Sequence, residues 1–354
     1  MDSRWTDFLA SVAAVLPERM TDEVSIRHLG DPGAELQAAR DGSIVAPISH
    51  LGVLEVTGSD ACDFLHGQLS SDVASLAPWQ LQASVYCSPK GRVLANSILW
   101  REAESFGVLL SRDLVHAISK RLGIFVLRSK VSIADASSKY LMFGVAGPAA
   151  ATSLSRAFGV VPDTPLSAAR TESATLINMG GTRFLVLLEP QAASTMWSKL
   201  VIGLTAVGED AWRWLDIRAG IPWISASTQD QFVPQMANLE LIGAVNFHKG
   251  CYPGQEIVAR TQYLGKLKRR LYRCHVAIGA PPEAATNLYC ANLAGESCGT
   301  VVNAAPSPGG GCDLLAVMQV EAAQTSSVSP VRLGTIDGPR LEILELPYRI
   351  PQAA

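Results

Sequence analysis

Cys251 is the residue whose setting most invites chemistry. It lies in the run NFHKGCYPGQEIVARTQYLG at residues 246–265. Pro253-Gly254 predicts a turn. Gln255 and Glu256 then open a helix with apolar Ile257, Val258 and Leu264, stopped by Gly265. The thiol therefore precedes a helix N-terminus, where unpaired N–H groups and the helix dipole stabilise an anion. His248 and Lys249 add positive charge beside it. Both effects favour a thiolate over a thiol, and the thiolate is the nucleophile. Glu256 and Arg260, four residues apart, are spaced to pair on the helix surface. This pattern predicts a reactive Cys251. The competing reading is a tight turn in which Gly250 and Gly254 are structural and the cysteine is buried and inert, the commoner fate of a thiol.

The other six cysteines, at 62, 87, 274, 290, 298 and 312, show no C-x-x-C spacing. The odd total of seven speaks against a disulfide framework. Cys290 and Cys298, the nearest pair, lack a partner cluster, so no stable metal is expected. A basic run follows the thiol: Arg260, Lys266, Lys268, Arg269, Arg270 and Arg273. It reads as an anion-binding mouth, an RNA contact or a solvated link between domains.

These groups need a frame. The 354 residues suggest two or three domains. With 48% hydrophobic and only 17% charged residues, a disordered chain is excluded. A net charge of −3 argues against a protein that grips nucleic acid through phosphates. No apolar run approaches the ~18 residues of a membrane span. Residues 1–45 are mixed, with a turn at Gly30-Asp31-Pro32-Gly33. The stretch Leu9 to Leu16 reads as a short surface helix without the basic flank of a signal peptide, so a cytoplasmic protein is expected.

Strand, helix and hairpin patterns then alternate. Leu81 to Cys87 and Val93 to Arg101 flank the turn Ser88-Pro89-Lys90-Gly91. Helices are expected from Asp113 to Gly123, from Pro148 to Phe158, from Gln191 to Leu204, and from an Asp210 cap to Ala219. Hairpins beside helices argue α+β rather than a parallel nucleotide-binding sheet. After about Leu271 the helical periodicity stops and turn clusters separate short β runs, which predicts an all-β barrel or sandwich. The expected domains are 1–136, 137–265 and 266–354.

The segment Lys249-Gly250-Cys251-Tyr252-Pro253-Gly254-Gln255-Glu256 closely resembles the K-G-C-Y-x-G-Q-E signature of the YgfZ family. These are folate-binding proteins tied to iron–sulfur cluster maturation and tRNA modification. Phe64 to Asp72 resembles the family's F-x-x-G-Q-x-[ST]-x-D helix, and Ser88 to Arg92 its hairpin turn. Ala219 to Pro222, Gln231 to Gln235 with Asn238-Leu239, and Leu346-Pro347-Tyr348 match further segments. The resemblance implies an aminomethyltransferase-like fold, with two α+β domains and a C-terminal β-barrel in a ring around a folate channel.

It also implies roles. Cys251 becomes the functional thiol, with Lys249, Tyr252, Gln255 and Glu256 beside it. Trp212, then Trp214, fit the family's folate-contacting tryptophan, against the plain alternative of core packing for a group that also includes Trp223. Gln68, Asp72, Asn96 and Arg218 fall at family ligand positions. Two departures matter. The adjacent aspartates of true aminomethyltransferases fall at Ala95 and Asn96, and neither can take a proton as a carboxylate would. Arg218 stands where the superfamily has Glu, a donor replacing an acceptor. It is expected to pair with an acid such as Asp216 or with an anionic ligand. The implied function is a folate-dependent accessory factor, with iron–sulfur assembly factors or client enzymes as partners and no direct nucleic-acid or membrane binding. A one-carbon transferase and a non-catalytic folate-responsive scaffold are the alternatives.

Overall fold

A computed structural model describes Phe8 and residues 26–265, 267–293 and 295–351. The helix expected at Leu9 to Leu16 lies outside these residues. In chain order, helix α1 (Pro32–Asp41) leads into strands β1 (Ile44–Ile48) and β2 (Leu51–Thr57). Helix α2 (Ala61–Gln68) precedes the hairpin of β3 (Leu81–Cys87) and β4 (Val93–Arg101), followed by β5 (Ser105–Ser111), α3 (Val115–Gly123) and β6 (Ser132–Asp135). The middle of the chain holds β7 (Leu141–Ala146), α4 (Ala150–Phe158), β8 (Ser167–Arg170), β9 (Ala174–Gly180) and β10 (Arg183–Leu188). It continues with α5 (Pro190–Leu200), β11 (Thr205–Ala206), α6 (Glu209–Arg218) and α7 (Gln255–Tyr263). The last part holds β12 (Arg269–Val276), β13 (Asn287–Tyr289), β14 (Ser297–Pro306), β15 (Cys312–Gln319), α8 (Val320–Gln324), β16 (Arg332–Leu333) and β17 (Leu341–Leu344).

Three sheets result, ordered β3-β4-β5-β2-β6, β11-β1-β7-β10-β9-β8 and β16-β13-β14-β15-β12-β17. The α+β expectation holds. Strand β1 precedes the first sheet in sequence but joins the second, antiparallel to β7 and parallel to β11. All five of its residues are buried, so no polar alternation marks one face. The third sheet is antiparallel and curled into a half-barrel. Its edge strands β16 and β17 are short, and its two ends approach at the bridge Arg332–Arg340, beside the Leu341 N–H bond to Val331 O at 2.8 Å. Helix α8 also interrupts the expected all-β texture, its Ala322-Ala323 pair being good helix formers.

Local chemistry explains other differences. The turn at Gly30 to Gly33 is the N-cap of α1. Asp31 Oδ1 accepts from the N–H groups of Gly33 at 2.8 Å and Ala34 at 3.2 Å, with Pro32 in the first turn. Asp210 does not cap α6, which starts at Glu209 after Gly208; Asp210 pairs with Arg27 at 3.1 Å instead.

Residues 222–233 are laced along β4. Asn96 donates to Pro222 O at 2.8 Å and accepts from Ile224 N–H at 2.9 Å. Gln229 Nε2 donates to Leu94 O at 2.8 Å, and Val93 N–H to Phe232 O at 2.8 Å. Ser88 Oγ donates to Asp230 at 2.9 Å. This lacing ties the hairpin turn to the segment that leads into the thiol. No helix among the described residues is long and apolar enough to cross a membrane.

Candidate functional site

The thiol loop is built from three separate segments. Asn246 Oδ1 accepts from the N–H groups of His248 at 2.8 Å and Lys249 at 3.1 Å, which folds the chain back before the cysteine. Asn246 N–H donates to Ser70 O at 2.9 Å, docking the loop on the segment after α2. Lys249 is buried, and its Nζ donates to Leu69 O at 2.6 Å and to His66 O. These are the carbonyls at the C-terminal end of α2, where a cation is favoured. The ammonium also lies 5.3 Å from the Tyr252 ring centroid.

On the other side the loop meets the hairpin. Gly254 has φ +78°, and a Cβ there would stand 2.7 Å from Gly91 Cα and overlap Ser88 O. Gly91 has φ +67°, and its Cβ would stand 2.8 Å from Ile257 Cβ. Two backbones touch here with no room for side chains. Gly250, by contrast, has only His66 Nε2 nearby, at 3.6 Å from a would-be Cβ. Of the two glycines in the inert-turn reading, Gly254 is structural and Gly250 is not sterically required.

Cys251 emerges exposed from this clamp, just before α7. The competing buried-cysteine reading is thereby removed. The other six thiols are buried or half-buried. Burial pushes the Cys87 and Cys298 thiols up to about 12, Cys312 up to about 11, and Cys62 and Cys274 upward. Burial pulls the Lys249 ammonium down to about 8, against the opposing attraction of Asp72 and Cys251. Tyr252 is buried and its phenol is pushed up for the same reason.

The depressed lysine gives a pH prediction. A lysine held below its ordinary value in the folded chain makes folding pH-dependent. An unfolded lysine titrates near 10.4, so between about pH 8 and that value the unfolded chain holds the extra proton. Wild-type stability should therefore rise with pH in that window relative to Lys249→Met, as followed by urea unfolding.

Gln255 and Glu256 open α7. Gln255 N–H donates to Tyr252 O at 3.2 Å, while Glu256 is exposed. The expected Glu256–Arg260 pair is not formed, in keeping with the few tenths of a kcal/mol such surface pairs supply. Val258 alone of the helix is fully buried, and Leu264, expected on the apolar face, is 83% exposed. The basic run also divides. Arg260 and Lys268 are exposed. Arg270 is buried, pairs with Glu240 and donates to Gln235 O at 2.9 Å. Lys266 lies outside the described residues.

A second locus sits where the three sheets' units meet. A cavity of about 290 Å³ is lined by His50, Arg112, Arg213, Asp216, Trp223 and Asn303, among others. Strands β4 and β5 fix one wall, since Asn96 holds Ile224 N–H and Ser111 Oγ donates to Ile224 O at 2.6 Å. Asp216 accepts from Trp223 Nε1 at 3.1 Å and pairs with Arg183, whose guanidinium stacks 4.9 Å from the Trp212 ring centroid. His50 is half-buried, with Nδ1 paired 2.9 Å from Glu209 Oε1 and Nε2 3.9 Å from Asp216 Oδ2. Nε2 makes no hydrogen bond. Burial alone would raise the Glu209 carboxyl, but His50, Arg213 and Ser49 outweigh it and hold the group well below the usual carboxylate range.

The expected ligand residues are scattered differently. Trp212 is core, with its indole against Gly144 of β7, where a Cβ would overlap the ring. Trp214 is also buried, and its Nε1 donates to Asp313 of β15 at 2.9 Å. Trp223, not these two, faces the cavity. Arg218 is exposed and stacks over Trp214; the Asp216 it was expected to meet is taken by Arg183. Asp72 lies by the thiol loop, 3.3 Å from His66 Nδ1. Gln68, at the end of α2, has a buried Oε1 without a partner. Neither lines the cavity. Asn96 spends both ends of its amide on the 222–224 backbone. Sequence reasoning missed His50, Arg183 and Glu209, which carry no motif and meet only through the fold. Among the described residues, no three His, Cys, Asp or Glu side chains gather as a metal site.

Three sheets of this order, around a junction cavity and with a signature loop on the hairpin, define an aminomethyltransferase-like protein. The glycine cleavage system aminomethyltransferase T from Bartonella henselae shares this fold, with a TM-score of 0.80 over 97% of this chain and 96% of that one at 18% identity. Residues 30–249 match the family model for the GCVT N-terminal domain. The chain is 35% identical over 224 residues to the tRNA-modifying protein YgfZ of Photorhabdus laumondii, covering 62% of this chain and 67% of that protein. It is 33% identical over 235 residues to the tRNA-modifying protein YgfZ of Pectobacterium carotovorum, covering 66% and 70%. The chain belongs to the YgfZ family within the GCVT aminomethyltransferase-like superfamily.

Proposed function

We propose that this chain is a cytoplasmic folate-binding accessory protein for iron–sulfur cluster assembly or repair, indirectly supporting tRNA modification, with Cys251 as its working thiol. The carrying observation is the contrast among thiols: Cys251 is exposed on a loop clamped by α2 and the hairpin, while the other six are buried or half-buried. Two relatives named as tRNA-modifying proteins support the pathway.

The cavity residues fit folate. Trp223 offers a face to a flat pterin, and His50, whose Nδ1 faces Glu209 and whose buried Nε2 has no hydrogen-bond partner, offers a polar group to its edge. Arg112 and Arg213 suit the carboxylates of the glutamate tail. At about 290 Å³ the cavity suits the head of the molecule and leaves the tail outside. Folate, when bound, supplies a reduced carrier of one-carbon units. Asn96 counts against the one-carbon transferase reading, because an amide bonded at both ends has no proton-accepting capacity to spare.

Two measurements test the reading. Tetrahydrofolate should quench tryptophan fluorescence, with most of the signal lost in Trp223→Phe and retained in Trp212→Phe. His50→Ala should weaken affinity about tenfold, the worth of one hydrogen bond to a buried partner. In a strain lacking the gene, Cys251→Ser should restore a tRNA-modifying iron–sulfur enzyme no better than an empty vector. Full restoration would leave only the folate-responsive scaffold.

A further inference from the structure

The surface around Cys251 is unusual in what it leaves uncovered. Helix α7 spans nine residues and fully buries only Val258. Ile257, Arg260 and Leu264 follow one another at spacings of three and four, forming one outward stripe. Tyr263 is 64% exposed beside it, edge-on to Phe247 at 6.0 Å. The hairpin turn extends the surface, since Gly91 touches Ile257 and exposed Lys90 stands next to it. Exposed Lys268 follows four residues after Leu264 in the chain. None of Lys90, Arg260 and Lys268 has an ion-pair partner among the described residues, and Glu256 is the one acid on the helix. The whole chain carries −3, so this basic, partly apolar face runs against its overall charge.

We infer that α7 and the Ser88–Arg92 turn form a docking surface that presents Cys251 to a protein partner with an acidic rim and an apolar centre. Ile257, Tyr263 and Leu264 cover the apolar centre; Lys90, Arg260 and Lys268 pair with the rim. Apolar side chains at the middle favour a protein over RNA, whose backbone would leave them unsatisfied. This inference rests on the reading of Cys251 as a working thiol and names the kind of surface that thiol meets.

The probe is a synthetic peptide of Glu and Leu around one cysteine, activated as its mixed disulfide with thionitrobenzoate. The Cys251 thiolate attacks the peptide sulfur, a new disulfide forms and the coloured thionitrobenzoate anion leaves. A Lys/Leu peptide and a small neutral disulfide are the controls. At low salt the acidic peptide should react at least tenfold faster than the basic one, with the gap closing in 0.5 M salt. Lys90→Glu combined with Arg260→Glu should reverse the order, and Leu264→Ser should slow both peptides while leaving the small disulfide unchanged. Equal peptide rates would overturn the inference. So would a dimer in sedimentation that Leu264→Ser dissolves, or tRNA binding that the double variant removes while the peptides stay equal. Fluorescence anisotropy of the unactivated acidic peptide on Cys251→Ser protein separates the two ideas. Binding there with an unreactive wild-type thiol would sink the thiol reading alone, and absent binding with a reactive thiol would sink the docking surface alone.

Discussion

Iodoacetamide added to the native protein should label Cys251 at least about 10³-fold faster than Cys87, Cys274, Cys290, Cys298 or Cys312. Those five thiols are buried, and Cys87 and Cys274 are built into strands β3 and β12. They become reachable only when their sheets open, which costs a large part of the ~5–15 kcal/mol of a folded domain. Cys251 needs no opening. Half-buried Cys62 should fall between. The measurement is time-resolved alkylation with peptide mass analysis. Labelling of Cys251 no faster than the buried five would show that the loop does not present it. Cys251→Ser should change stability by less than about 0.5 kcal/mol, as for exposed substitutions generally. Loss of function in that variant would then be chemical and not structural.

Gly254→Ala should have the largest structural effect of any small change at the site. The left-handed backbone disfavours a Cβ by about 1–2 kcal/mol, and the new methyl would overlap Ser88 O and press on Gly91. Overpacking against backbone adds about 1–3 kcal/mol, so a loss of roughly 2–5 kcal/mol is expected in urea unfolding. If the loop escapes by lifting off the hairpin, the loss will be smaller, but Cys251 will alkylate at a changed rate. Gly250→Ala, whose new methyl would meet only His66 Nε2 at an ordinary 3.6 Å, should do neither. Similar losses in both variants would show that the clamp between Gly254 and Gly91 is not what holds the thiol.

The site was only partly legible beforehand. The turn at Pro253-Gly254, the helix after it and the β3–β4 hairpin were readable because each depends on neighbours in sequence. Local patterning also marked α4 and its stop at Gly159, which adopts φ +75°. The placement of β1 in the second sheet was not readable, because a strand buried on both faces carries no sign of its partner. Trp212 and Trp223 look alike in a sequence. One packs on Gly144 and the other lines the cavity, and the difference is set by the path of residues 222–224 over Asn96.

The sequence by itself determined that this is an α+β chain of the YgfZ family, with a turn, a thiol and a helix in fixed order, because those features follow from nearest-neighbour chemistry. Only the tertiary structure decided which cysteine meets solvent and that Lys249 is a buried strap on α2. It also showed that Arg270 is locked to Glu240 and that His50, paired with Glu209, and Asp216 line one cavity. Burial and charge pairing depend on segments far apart along the chain. Strand β4 starts two residues after Gly91 and carries Asn96, so one strand joins the thiol's clamp to the cavity wall.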